Sequence, residues 1–417
     1  MASFSFGSGN AAKLLRIPVY AIGRLGTFLI PRGTRWVFGC GAGIGDGALA
    51  LWRIATDEGH DAVWLISSER ERAEAQSHGI PTIPKSSLRG WWATVRAGVL
   101  IVTHGLGDVN RYAVSGGFVV QLWHGIPLKR IGLDSPATTQ VPAVPGARYL
   151  RRLIGLLYRA AAQRIQVLPA ASDRSRGRLE SAFALGDARV VVTGEPRVDV
   201  LSAGTVEERR ASASALLDET AGTRPTGART LLYAPTWRDG AEDPAIPTAA
   251  EWVRIVALLE SQNAVLYVRS HPLGAGGYQP PLPSTRVRML GSDALADVTP
   301  ALPAIDALIT DYSSLAYDVG LLDMPVLYLA PDAEEYARTR GFYGRYPDVA
   351  GDDAAATWGE LLDQLAALLS DERVFAERSH RSTTLSAQVH AFRDGENSRR
   401  VYRAIRARGI LAPKGAR

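Results

Sequence analysis

Cysteine is nearly absent from this chain. Cys40 is the single one in 417 residues, which excludes an intrachain disulfide framework and any cysteine-rich zinc site. A reducing compartment is the simplest fit. Acidic residues are missing from two stretches. None precedes Asp46, whereas Lys13, Arg16, Arg24, Arg32 and Arg35 all do. None lies between Asp134 and Asp173, where Arg148, Arg151, Arg152, Arg159 and Arg164 sit. Single-sign blocks of this kind suit an anionic surface as partner. No run of about 18 uncharged apolar residues occurs, so no transmembrane helix is expected. The first apolar stretches are interrupted by Arg16, Pro18 and Arg24, and no Ala-x-Ala-like site follows, so a signal peptide is not expected either.

Two motif classes are also missing. The glycine-rich stretch from Gly39 to Gly47 lacks the Gly-Lys-Ser/Thr of a Walker loop. No Asp-x-Asp follows a strand, no His-x-x-x-His falls on a helix, and Asp306 and Asp311 are not at chelating separation. No metal or other cofactor is therefore expected, and charge on a bound pyrophosphate would fall to Arg, Lys and a helix N-terminus.

What is present is an ordinary globular composition, 46% hydrophobic and 21% charged, with a formal net charge of +5. The length favours two or three domains. Apolar runs suggest strands at Arg35 to Gly39, Asp61 to Ile66, Val99 to Thr103 and Phe118 to Trp123. A second series comprises Val190 to Thr193, Thr230 to Ala234, Ala264 to Arg269, Arg286 to Leu290, Ala307 to Thr310 and Val326 to Leu329. Helical patterns separate several of them, at Asp46 to Glu58, Glu69 to His78, Val206 to Thr220, Ala249 to Ser261 and Ser313 to Leu322. Alternation of this kind predicts an α/β fold of parallel sheets covered on both faces. Two doubly wound domains facing across a cleft are expected. One spans residues 1–180 and takes back a C-terminal helix at 396–412; the other spans 181–395.

Candidate chemistry collects at strand ends, where open α/β sheets bind ligands. The run Gln121 to Asp134 places His124 at a strand end, followed by Gly125, Pro127, Lys129 and Arg130. An imidazole there can move a proton near neutral pH, and the cations behind it can hold an anion. Leu231 to Asp239 delivers Thr236, Trp237 and Arg238 to a second strand end, and Leu266 to Pro272 delivers Arg269 and His271 to a third. Ile309 to Ser314 adds Asp311, Ser313 and Ser314 at the start of a helix, where free N–H groups favour phosphate. Asp311 could equally cap that helix. Gly43 to Ala48 fits a degenerate dinucleotide turn, with Glu69 placed as a ribose-binding acid. It fits a plain strand-to-helix turn as well. From Arg148 to Ala161, Leu150, Leu153, Ile154, Leu157 and Ala161 share one helical face, and Arg148, Arg151, Arg152 and Arg159 the other. Such a helix can lie on an anionic bilayer, or pack on its own domain. The basic segment 11–35 is a second candidate for a membrane contact.

The ordered set of segments resembles the CDP-glycerol glycerophosphotransferases of wall teichoic acid synthesis. The resemblance runs from about Gly98 to Arg406. It rests on Trp123-His124-Gly125-Ile126-Pro127-Leu128-Lys129, Tyr233 through Asp239, Arg269-Ser270-His271-Pro272 and Ile309 through Ser314. Gly194 through Leu201, Glu334-Glu335-Tyr336 and Arg340-Gly341-Phe342-Tyr343 add to it. Ile126 stands where the family commonly has Thr, and the stretch before Gly98, where acceptor contacts are expected, matches poorly. The resemblance implies a GT-B architecture. It also implies metal-independent transfer of glycerol phosphate, or a related polyol phosphate, from a CDP-polyol to a hydroxyl of a lipid-linked acceptor. CMP would be released, and the enzyme would work peripherally at the cytoplasmic membrane face. In that chemistry His124 is the expected base. Asp311 and His271 join it as catalytic candidates, with Asp134 an alternative partner orienting His124. Thr236, Arg238, Arg269, Ser313, Ser314, Arg340 and Lys129 are the expected donor-binding group. No nucleic acid is expected as partner. Glycerol and ribitol donors stay open alternatives, as do single addition and polymerisation. A GT-B glycosyltransferase using a nucleotide sugar is the competing reading, since one fold hosts both. A non-catalytic nucleotide-binding protein and a dinucleotide-dependent oxidoreductase are the others.

Overall fold

The computed structural model describes residues 17–141, 146–236, 238, 243–270 and 277–408. The chain divides into two compact units, 1–199 with 394–417, and 200–393. Both are parallel α/β structures.

The first unit holds seven strands: β1 (Trp36–Phe38), β2 (Ala62–Ile66), β3 (Thr82–Pro84), β4 (Val99–Val102), β5 (Phe118–Gln121), β6 (Ile165–Ala170) and β7 (Val190–Val192). Their order is β3-β2-β1-β4-β5-β6-β7 and every pairing is parallel. β1, β2 and β4 are buried along their whole length. That is what continuous Val/Ile/Leu/aromatic runs require when helices cover both faces. Trp36, Phe38, Trp52 and Trp64 form the aromatic part of one core layer, with Phe38 and Trp64 stacked at 5.8 Å. The C-terminal helix Asn397–Arg406 returns to this layer. Val401, Tyr402 and Ile405 are buried on it, and Tyr402 OH meets His60 Nε2 at 3.0 Å. Asp199 caps the helix by accepting the N–H groups of Asn397 and Ser398 at 2.9 and 2.7 Å. The first crossover thus lies at 199/200 rather than 180/181, because β7 pairs with β6 and the turn after it holds this helix.

The second unit has five strands: β8 (Arg229–Ala234), β9 (Ala264–Val268), β10 (Val287–Met289), β11 (Ala307–Thr310) and β12 (Val326–Tyr328). The order is β10-β9-β8-β11-β12, again all parallel. Both sheets therefore reverse direction of growth once, between β1 and β4 and between β8 and β11. Those reversals are where ligands bind in open α/β sheets.

The expected helix from Ser313 to Leu322 is instead one α-turn, Leu315–Asp318, followed by 3-10 turns at Val319–Leu322. Gly320 lies tight against the helix Glu372–Ala387; a Cβ there would sit 2.6 Å from Ser386 Cβ. Close packing at this point limits the element to short turns.

Candidate functional site

In the first unit, the ends of β1, β4 and β5 bring Cys40, Thr103, His104, Asp108 and His124 together. His124 lies just past β5, between Trp123 in the left-handed region (φ 65) and Gly125 (φ 144). A left-handed tryptophan is strained, by roughly 1–3 kcal/mol. Its ring is anchored edge-on against Phe183 at 5.1 Å, which holds the turn in place. The His124 residue keeps part of its surface open to solvent, but its Nδ1 is buried without a hydrogen-bond partner. Its ring lies flat on that of His104, with centroids 4.3 Å apart and planes 3° from parallel. Burial holds His124 well below the usual histidine range; His104, Arg197 and Lys129 push the same way and the Thr103 backbone opposes them. The imidazole is therefore neutral and able to accept a proton at pH 7.

His104 is fixed from behind. Its Nδ1 is 2.8 Å from Thr103 Oγ1. Asp108 accepts the backbone N–H groups of Thr103, His104 and Gly105 at 2.9, 2.7 and 3.2 Å. Burial lowers the His104 pKa, with Asp108 opposing. The sequence reading offered no metal motif, but the fold gathers Cys40, Asp46 and His104, each with one ligand atom within 4.8 Å of the others. These atoms already have protein partners. Thr103 Oγ1 lies 3.2 Å from Cys40 Sγ and also contacts His104, while Asp46 accepts from Gly47 N at 2.6 Å. Burial and Asp46 push the Cys40 thiol up, away from the thiolate a metal needs. We assign no ion to the trio.

The glycine run serves close approach. A Cβ on Gly47 would come 3.3 Å from Arg197 N and 3.4 Å from Pro196 Cβ. Glu69 pairs with Arg72 on an exposed helix start. The dinucleotide reading has no support from either. Asp134 accepts from Ser181 Oγ at 2.6 Å. The unpartnered Nδ1 of His124 shows that no carboxylate orients the ring through that atom. Arg197, buried and paired with Glu195 at 2.8 Å, was missed as a cation near His124. So was His104. Its signal was the same as that of His124, a histidine directly past an apolar strand.

In the second unit, Asp311 past β11 and Arg238 past β8 are both buried. Asp311 accepts the Thr236 N–H at 2.9 and 3.0 Å and Arg238 Nη1 at 2.8 Å. It does not cap the following turn. The Arg238 guanidinium also clasps Asp332 at 2.7 and 2.9 Å, bonds the Thr236 carbonyl, and lies against the Tyr312 and Tyr336 rings at 4.8 and 5.2 Å. Burial alone would raise the Asp332 pKa, but Arg238 and the Tyr312 hydroxyl hold it below the usual carboxylate range. This network is closed. Arg238 ties strand ends together instead of reaching out for a phosphate, and Asp311 orients Thr236 and Arg238. Arg269 is likewise engaged, donating to the carbonyls of Leu290, Leu295 and Ala296 at 3.1, 2.7 and 2.9 Å. Thr236, Ser313, Ser314 and Arg340 are partly exposed near these ends, and Lys129 has that exposure in the first unit. Ser313 Oγ accepts from Leu315 N at 3.2 Å. His271, Trp237 and Asp239 lie outside the described residues.

The profile of the family described as CDP-Glycerol:Poly(glycerophosphate) glycerophosphotransferase matches residues 42–407. The chain belongs to this family. The match carries the resemblance upstream of Gly98 and makes the chain a member of an enzyme family, as its motifs implied. A teichoic acid glycerol-phosphate transferase of Staphylococcus aureus is 25% identical over 373 residues, 86% of this chain and 89% of that protein. A teichoic acid poly(glycerol phosphate) polymerase of Bacillus subtilis is 26% identical over 313 residues, 74% of this chain but 40% of that one. The solved structure of the wall teichoic acid polymerase TagF superposes with a TM-score of 0.74 at 20% identity, covering 96% of both chains. That likeness establishes the GT-B fold, which UDP-N-acetylglucosamine 2-epimerases share at TM-scores near 0.5, one of them 0.53.

Proposed function

We propose that this enzyme transfers glycerol phosphate from CDP-glycerol, or a related polyol phosphate from its CDP-polyol, to a hydroxyl of a lipid-linked acceptor in teichoic-acid-like polymer synthesis. The observation that carries the reading is His124, held neutral at the end of β5 within the segment that marks the family. His124 removes the acceptor proton as the hydroxyl attacks the β-phosphorus and CMP departs. Such assistance contributes about 100- to 10,000-fold. Little covalent chemistry falls to the protein, so positioning and charge stabilisation dominate.

Ser313, Ser314, Thr236, Arg340, Lys129 and His271 are the donor contacts we assign by motif, with Arg238, Arg269 and Asp311 behind them as supports. We assign neutralisation of the leaving charge to these groups and not to a metal ion. CMP release from CDP-glycerol and a lipid-linked acceptor, measured with EDTA present, tests both assignments. Loss of release on chelation, restored by a divalent cation, would remove the metal-independent part. Consumption of a UDP-sugar instead would reassign the donor.

The reading also places the enzyme at the cytoplasmic membrane face. Among the described residues no helix is long and apolar enough to cross a membrane. The helix Ala147–Ala162 buries only Ile154, Tyr158 and Ala162. Leu153, Leu156 and Leu157 are 46%, 64% and 44% exposed, so the expected apolar face is narrower than its sequence pattern, and part of it is bare. Arg148, Arg151, Arg152 and Arg159 are exposed beside it. The helix Ile17–Leu29 adds Phe28 and Leu29, 87% and 70% exposed. Leucines in water beside arginines suit an anionic bilayer surface. Charge reversal of Arg148, Arg151 and Arg152 should reduce sedimentation with anionic vesicles and leave neutral vesicles unaffected. Equal sedimentation of variant and parent would defeat this placement.

A further inference from the structure

We infer that His104 is the positioning residue for His124, and that it orients the base by ring stacking where no carboxylate does so. This rests on the reading of His124 as the base.

A catalytic histidine needs its ring plane fixed, and a hydrogen bond to the second nitrogen commonly does this. Here that nitrogen, Nδ1, is buried with no hydrogen-bond partner. The ring instead has a flat partner on one face, His104, at 4.3 Å and 3°. Offset stacking of this kind contributes direction beyond simple burial. His104 is in turn held on three sides. Thr103 Oγ1 contacts its Nδ1 at 2.8 Å. The Asp108 carboxylate pins its backbone N–H at 2.7 Å. The backbone of Gly41 closes the third side. A Cβ on Gly41 would lie 2.6 Å from His104 Cγ and 2.8 Å from its Cβ and Nδ1. The absence of a side chain at position 41 thus makes room for the His104 ring. Gly41 ends β1, His104 follows β4 and His124 follows β5, so three neighbouring strand ends form one stack at the reversal point of the sheet.

The stack has an electrostatic consequence. The charged and titratable groups facing it are Cys40, Asp46 and Asp108 on the His104 side and Arg197 and Lys129 on the His124 side. Two imidazoles in face contact cannot both carry a proton without repulsion. A protonated His104 therefore opposes protonation of His124 and extends its basic form toward lower pH.

A double-mutant cycle in the CMP-release assay tests the inference. His104→Ala and Gly41→Ala should each lower kcat by about 10- to 100-fold, the scale of a misplacement near 1 Å, with the KM for CDP-glycerol little altered. Gly41→Ala acts only by displacing the ring, so it should add almost nothing in the His104→Ala background. His104→Phe supplies a flat ring without charge. It should recover most of the kcat lost in His104→Ala, and its acid limb of kcat/KM should move to higher pH because the repulsion is gone. Additive effects of the two alanine substitutions, or a parental kcat in His104→Ala, would overturn the inference. So would a His104→Phe variant as slow as His104→Ala, which would make the nitrogen and not the stack the active feature. Should His104→Ala fail to fold, Gly41→Ala and His104→Phe both keep a ring in place and are read by kcat and pH limb alone. His124→Ala in the same assay tests the base separately. Turnover surviving there removes the base assignment, whereas its loss beside a parental His104→Ala removes only the positioning role.

Discussion

His124 carries two expectations that follow from its surroundings. Replacing it with alanine removes the proton acceptor but neither the strand ends nor the cations that hold the donor. CMP release should fall by about 100- to 10,000-fold, while equilibrium binding of CDP-glycerol survives. Loss of binding alongside turnover would make His124 a ligand contact before it is a base. The second expectation concerns pH. Only the neutral imidazole accepts a proton. Burial, with His104, Arg197 and Lys129, lowers the His124 pKa well below 6.5. The neutral form therefore persists as pH falls through 6.5, and the acid limb of kcat/KM should lie below that value. A limb at or above 6.5 that vanishes in His124→Asn would show that the ring is solvated during turnover, contrary to its burial here.

Strand ends are the elements that position this chemistry, and the Arg238 network shows how. One guanidinium serves Asp311 and Asp332, which come from beyond β11 and β12. Arg238→Ala would leave two carboxylates buried without their cation, a loss on the order of 3–5 kcal/mol. Arg238→Lys should recover little, because an ammonium cannot clasp Asp332 with two parallel bonds. Urea unfolding followed by far-ultraviolet circular dichroism checks both; midpoints matching the parent would mean the network is dispensable. Nothing in the sequence announces this clasp, since its partners are 73 and 94 residues away. Arg238 therefore read as a phosphate ligand. The apolar runs were far more legible, because a strand buried on both faces has to be continuous in Val, Ile and Leu. β3 and β6 escaped notice for a definite reason. They contain Pro84 and Pro169, and proline ordinarily argues against a paired strand. His124 was legible because a lone strand carried it to its end. The stack beneath it needed β1, β4 and β5 to be set side by side, and only the fold supplies their order.

The whole molecule is not linear in sequence. The chain leaves the seven-stranded unit at 199 and returns to it at 394. Its last helix therefore completes the unit that carries His124. Tyr402 is the joint: it is 7% exposed, bonds His60 through its hydroxyl and packs near Trp36 at 6.0 Å. Tyr402→Ala should cost about 3–5 kcal/mol, as for other buried aromatics, and the cost should fall on one unit. A protein of two units need not unfold in one step. Hydrogen exchange read by mass spectrometry separates them, with β1 reporting the first unit and β11 the second. In Tyr402→Ala, exchange in Trp36–Phe38 should accelerate strongly while Ala307–Thr310 keeps its parental protection. CMP release should fall with β1 protection, since β1, β4 and β5 together hold the stack under the base. Equal acceleration in β1 and β11 would mean that the two units unfold as one cooperative body, and that the returning helix stabilises both.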